Sequence, residues 1–166
     1  KLRPLLYGGG QQKDLRPGTE NVPGIAGFGE AVREIYTDLE EKRGRLYRLK
    51  EQFVNGISEL EGTVVNGKKG TGSAPHIVSV SFGGVRSEVL LHALEERGIY
   101  VSAGSACSSN KKLPVSAVLK ELHLRQELLE STLRFSFSAF STEEEITYCL
   151  ATLNELLPVL RRYARH

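Results

Sequence analysis

The chain has 166 residues, 40% of them apolar and 25% charged, and its 22 basic and 20 acidic side chains leave a net charge of +2. That length suits one domain or slightly more with a real core, and the composition is ordinary for a soluble globular protein. The charge balance, without a basic stripe interleaved with aromatics, excludes a nucleic-acid footprint; no apolar run nears membrane-spanning length and no signal peptide opens the chain, which makes a cytoplasmic protein the default. Methionine is absent, position 1 included, and Lys1-Leu2-Arg3-Pro4-Leu5-Leu6-Tyr7 reads as the tail of a strand without its partners. Both lead us to expect a piece of a longer protein.

Residues 8–24, from Gly8-Gly9-Gly10 through Arg16-Pro17-Gly18-Thr19 to Pro23-Gly24, hold too much glycine and proline for a long regular element. Successive amides beside a hydroxyl and an arginine can cradle an anion, but neither P-loop nor dinucleotide spacing is present, and a plain surface loop is the simpler reading. Apolar residues at threes and fours, Val32, Ile35, Leu39, Leu46, Leu49, Phe53, Ile57 and Leu60, then predict one long helix from about Gly27 to Leu60, with Gly44 as its weak point.

Beyond Gly62 the pattern turns to mixed α and β. Ile77–Phe82 alternates as a half-buried strand, Ser87 is placed to cap a helix running to Arg97 and stopping at Gly98, and Ile99-Tyr100-Val101 predicts a short strand. Helices are expected over Val115–Leu122 and Arg125–Ser131. In Leu133–Ser138 the apolar side chains fall on one face, and Arg134, Ser136 and Ser138 on the other. A guanidinium held among hydroxyls on a strand suits a carboxylate, and an ordinary ion pair with a local acid explains it equally well. Ser141-Thr142-Glu143-Glu144-Glu145 carries a capping box, and the helix it opens buries Ile146, Leu150, Leu153, Leu157 and Leu160, with Cys149 read as packing and Pro158 as a bend or end.

Cys107 stands in a run of small residues, Val101-Ser102-Ala103-Gly104-Ser105-Ala106-Cys107-Ser108-Ser109-Asn110, that no core asks for. A mobile, solvent-facing thiol and an inert buried one both remain open on composition, with Lys111 and Lys112 placed to favour a thiolate. Two cysteines are too few for a disulfide framework or a cysteine-only metal site, and the four histidines show no ligand spacing; no metal is assigned.

Three segments together, Gly8-Gly9-Gly10-Gln11 through Arg16-Pro17-Gly18-Thr19-Glu20-Asn21-Val22-Pro23, then Ser102–Ser109, then Leu133-Arg134-Phe135-Ser136 with Ser141–Glu145, closely resemble the NifS/IscS-type cysteine desulfurases, in order and over essentially the whole chain. The resemblance implies the C-terminal part of a fold type I, class V aminotransferase-like enzyme dependent on pyridoxal 5'-phosphate. That is an α+β or α/β arrangement: residues 1–30 ending the large cofactor domain, 31–60 a connecting helix, and 61–166 a small domain with a short, mostly antiparallel sheet packed by helices. It implies that Cys107 takes sulfur from L-cysteine as a persulfide, leaving L-alanine, and hands it to an acceptor or scaffold protein for iron–sulfur cluster or other thio-cofactor assembly. Arg134 would bind the substrate carboxylate. Thr19 would contact the cofactor phosphate, typically across a homodimer.

No lysine here stands in the family's Schiff-base context, and the residues that contact the cofactor ring are also missing, so we expect these residues alone to be inactive. Pro17 replaces a common serine. A non-catalytic sulfur carrier or docking module is the alternative. A rhodanese-like cradle lacks its glycine and arginine after Cys107, and a Cys/His hydrolase lacks a histidine tied to Cys107 by context.

Overall fold

Two alternating stretches set the architecture. The computed structural model describes residues 3–68, 70–103 and 117–163; within it, β2 (Ile77–Phe82) and β4 (Thr132–Ser136) lie side by side at the centre of a four-stranded sheet of order β1-β2-β4-β3. β1 (Thr63–Asn66) flanks β2, the two-residue β3 (Ser102–Ala103) flanks β4, and every pairing is antiparallel. Because successive side chains alternate across a strand, Val78, Val80 and Phe82 share one face with Leu133 and Phe135, while Ser79, Ser81, Thr132 and Arg134 share the other.

Helices close the apolar face. α2 (Leu39–Ser58) contributes Leu49, Phe53 and Ile57 at helical spacing, α3 (Ser87–Glu95) contributes Leu90 and Leu94, and α6 (Glu143–Tyr163) contributes Ile146, Cys149, Leu153 and Leu157. With the strand residues they form one buried cluster. At its centre the Phe53 ring lies 4.7 Å from that of Phe135 and 5.6 Å from that of Phe137, centroid to centroid. α5 (Gln126–Glu130) ends beside β4, where the Phe82 N–H donates to the Ser131 carbonyl. α4 (Ala117–Lys120) is a single turn within the stretch expected from Val115 to Leu122.

The chain divides into two units, Lys1–Leu39 and Glu40–His166. Where periodicity predicts one helix from about Gly27 to Leu60, there are two, α1 (Val22–Tyr36) and α2. The interruption falls at Thr37 and Asp38, not at Gly44, which α2 runs straight through. Thr37 turns extended, its hydroxyl and its N–H both donating to the Arg33 carbonyl, and Asp38 enters the left-handed region with φ 56°. Both residue types offer the backbone local alternatives to helix, and aspartate tolerates left-handed φ better than most. α1 opens on an Asn21 cap, whose Oδ1 accepts from the Gly24 N–H, and buries none of its residues.

Three smaller expectations are corrected. Arg86, not Ser87, is the N-cap of α3, and no side chain caps it. At the other end Gly98, with φ 75°, makes the expected stop: its N–H donates to the Glu95 carbonyl and that of Ile99 to Leu94. That closure holds Ile99 to the helix end, so the strand expected over Ile99–Val101 begins three residues later, at Ser102 of β3. Pro158 does not end α6, which continues to Tyr163. The turn after it is held from outside, as Arg161 donates to the carbonyls of Gly83 and Glu61.

Candidate active site

The polar face of the sheet is built around Arg134. Leu133 and Phe135 turn into the core, which leaves the guanidinium between them exposed on the opposite side of β4. Register sets its neighbours: Ser79 of β2 lies directly opposite on one side and Ser102 of β3 on the other. Nη2 donates to Ser102 Oγ at 3.4 Å. Among the described residues no carboxylate pairs with Arg134, so the local ion pair that the sequence left open is not formed there.

Beside it runs a line of hydrogen bonds in one direction. Asn66 Nδ2 donates to Ser81 Oγ at 2.9 Å, Ser81 and Thr132 share a hydrogen bond at 2.7 Å, and Thr132 Oγ1 donates to the Leu128 carbonyl at 2.6 Å. Since the Thr132 proton goes to Leu128, Ser81 must be the donor to Thr132. Asn66 Nδ2 also reaches Ser79 Oγ at 3.4 Å. Ser81 and Thr132 are buried, and mutual hydrogen bonding is what makes that affordable. Asn66 Oδ1 is buried without a partner among the described residues.

Sequence reading found Arg134 and missed Asn66, Ser79, Ser81 and Ser102 as its surroundings. The signal was the serine alternation in Ile77–Phe82, read only as strand. Ser138, expected beside Arg134, lies beyond β4 and accepts from the Phe140 N–H instead.

Thr19 belongs to the other unit. Its side chain is exposed, and Arg16 Nη1 folds back onto the carbonyls of Gly18, at 3.1 Å, and Thr19, at 3.4 Å. Gln12, Lys13 and Asp14, just ahead, are consecutive non-glycine residues in the left-handed region. The Glu20 carboxylate accepts from Gln12 Nε2 at 2.9 Å, and that bond, with a smaller contribution from the Arg16 charge, lowers its pKa. Cys107 lies in residues 104–116, outside the described residues. Cys149 is buried in α6, and burial pushes its thiol up from 9.0 to about 12, as expected of a packing cysteine. Among the described residues no helix is long and apolar enough to cross a membrane and no cluster could hold a metal ion.

Comparison with known proteins decides the family. Residues 1–149 match the aminotransferase class-V pattern. The chain belongs to the aminotransferase class-V family. Within this family it is 38% identical over 161 residues to "Cysteine desulfurase IscS" of Salmonella paratyphi C and 40% identical to "Cysteine desulfurase, mitochondrial" of Saccharomyces cerevisiae. Those alignments cover 97% of this chain but only 39% and 32% of the relatives, so the chain spans well under half of their length. Its fold matches a solved NifS-like protein with a TM-score of 0.78 at 32% identity, over 96% of this chain and 40% of the other. The NifS-like protein of Rickettsia africae, at 24% identity and a TM-score of 0.76, shares the fold. The class-V chain is thus part of a fold type I architecture, with the small antiparallel sheet and its helices as expected.

The class-V family depends on pyridoxal phosphate. Thr19 fits a phosphate contact, with an exposed hydroxyl and the Arg16 guanidinium folded against the same two residues. Lys50 does not fit the covalent role. Its ammonium is buried and fully engaged, donating to Ser73 Oγ and the Ala74 carbonyl, each at 2.7 Å, and to the Ile77 carbonyl at 3.1 Å.

Proposed function

We propose that this chain is part of a cysteine desulfurase that removes sulfur from L-cysteine. The observation that carries the reading is the pairing of β3 with β4. Ser102 lies opposite Arg134 in that ladder, so the strand leading toward Cys107 is tied alongside an exposed guanidinium with no acidic partner among the described residues. A substrate carboxylate gripped by Arg134 would be held next to the start of the segment that carries the thiol.

In this reading Arg134 binds and orients the carboxylate through two parallel hydrogen bonds. Cys107, as thiolate, forms a bond to the substrate sulfur while that sulfur's bond to Cβ breaks. The electron pair of the broken bond stays with the substrate carbon, which takes up a proton and leaves as L-alanine. The sulfur remains on Cys107 as a persulfide, ready for an acceptor or scaffold protein in iron–sulfur cluster or other thio-cofactor assembly. Pyridoxal phosphate, when bound, supplies the electron sink for bond cleavage. Thr19 would donate to its phosphate, within a homodimer. Residues 1–30 then close a cofactor domain, 31–60 connect, and 61–166 form the domain that carries sulfur.

The test uses the complete enzyme containing this chain. With L-cysteine it is expected to release alanine and to leave one extra sulfur on Cys107, read by mass spectrometry. Cys107→Ala should abolish sulfur transfer to an acceptor, by at least about a hundredfold, while cofactor absorbance is retained. Full transfer by that variant would sink the assignment. Sulfur gained at Cys107 from a polysulfide alone, whose chain gives up one sulfur and leaves as the shorter polysulfide, with no alanine formed from cysteine, would point instead to a carrier module.

A further inference from the structure

We infer that Ser102 is a positioning residue for Arg134, steadying one arm of its guanidinium so that the rest of the fork faces an incoming carboxylate. The inference rests on the carboxylate-binding reading of Arg134 given above. Arg134 Nη2 donates to Ser102 Oγ at 3.4 Å, its one side-chain hydrogen bond among the described residues. A guanidinium carries five N–H groups, so a single bond leaves four for substrate. A carboxylate in place of Ser102 would close the fork as a bidentate pair and compete with substrate. A neutral hydroxyl orients the group and competes weakly.

Ser102 is itself well fixed. Both residues of β3 pair with β4, and Ser102 lies directly across from Arg134, half-buried. The backbone ladder therefore sets the hydroxyl's place relative to the arginine. Ser79, the corresponding neighbour on the other side, accepts from Asn66 across β1, and no bond joins it to Arg134. Of the two hydroxyls flanking the guanidinium, Ser102 alone engages it. An exposed arginine has many rotamers to lose when it binds a ligand, and a group already steadied loses fewer. The consequence belongs in substrate binding, not in the bond-breaking step.

Steady-state alanine formation by the complete, cofactor-loaded enzyme tests this. Ser102→Ala is expected to raise KM for L-cysteine about three- to tenfold with kcat within about twofold. Ser102→Thr, which keeps the hydroxyl, should restore KM to within about twofold, whereas Ser102→Val, of the same shape without it, should behave like alanine. The Val/Thr pair also serves if the alanine variant fails to accumulate. Unchanged KM in Ser102→Ala or Ser102→Val, or a loss confined to kcat, would overturn the inference, as would a threonine variant no better than valine. Arg134→Gln separates the two levels. If Arg134→Gln leaves KM and kcat/KM unchanged, the carboxylate reading itself fails. If it lowers kcat/KM about a hundredfold while the Ser102 variants are silent, only the role of Ser102 is lost.

Discussion

Cys149 is walled in by the packing that keeps α6 in place. Its side chain lies among Ile146, Leu153 and the other members of the core, and burial holds the thiol protonated well above its ordinary range, at about 12 instead of 9.0. Thiolates react and buried thiols do not. Iodoacetamide at pH 8 is therefore expected to leave Cys149 unlabelled in the native protein and to label it once urea unfolds the chain; native labelling at the unfolded rate would contradict its burial. The raised pKa also gives a sign for pH. Between about 9 and 12 the folded state keeps a proton that the unfolded state has released, so the contribution of the neutral thiol is complete below pH 9 and is lost as pH rises through that window. In Cys149→Ala, the urea midpoint should fall less steeply above pH 9 than in the parent.

Lys50 is the joint between α2 and the loop leading into β2. Helical periodicity places it beside Leu49, one position off the apolar stripe, and its long stem carries the ammonium to Ser73, Ala74 and Ile77. Burial lowers its pKa, and the three acceptors are what keep a charge tolerable there. Lys50→Met preserves most of the stem and strands those acceptors, and urea denaturation should show a loss of about 1–3 kcal/mol. A loss below measurement would mean that the loop finds water instead. α6 shows the same principle at its N-terminus, where Thr142 and Glu145 cap each other's backbone N–H groups, at 3.2 and 3.0 Å. There the sequence pattern was explicit. For Lys50 it was not, because its partners lie more than twenty residues away and are two carbonyls and a serine with no motif among them.

For the whole molecule, alternation and helical stripes were enough to place β2, β4, α3 and α6, because each buries one face of a regular element. They did not reveal the break at Thr37 and Asp38, where local side-chain bonding overrides a periodic stripe that continues on both sides. The candidate site was legible in Arg134 but not in its serine neighbours, since strand order, which no single segment encodes, decides who faces whom. α1 poses a larger question of burial. Ile25 is 60% exposed, Phe28 72% and Ile35 59%, on one helical stripe. A stripe of this kind is an association hazard in water. The 166-residue chain on its own is expected to bind a hydrophobic dye and to associate as concentration rises, and the double substitution Ile25→Glu and Phe28→Glu should reduce both; sedimentation that stays monomeric in the parent would refute this.

The directed line from Asn66 through Ser81 and Thr132 to the Leu128 carbonyl is made of amide, hydroxyl and carbonyl groups alone. None of these gains or loses a proton between about pH 4 and 10. The floor beside Arg134 is electrically silent across that range. A change of pH within that span leaves the donors, acceptors and shape of this part of the sheet as they are.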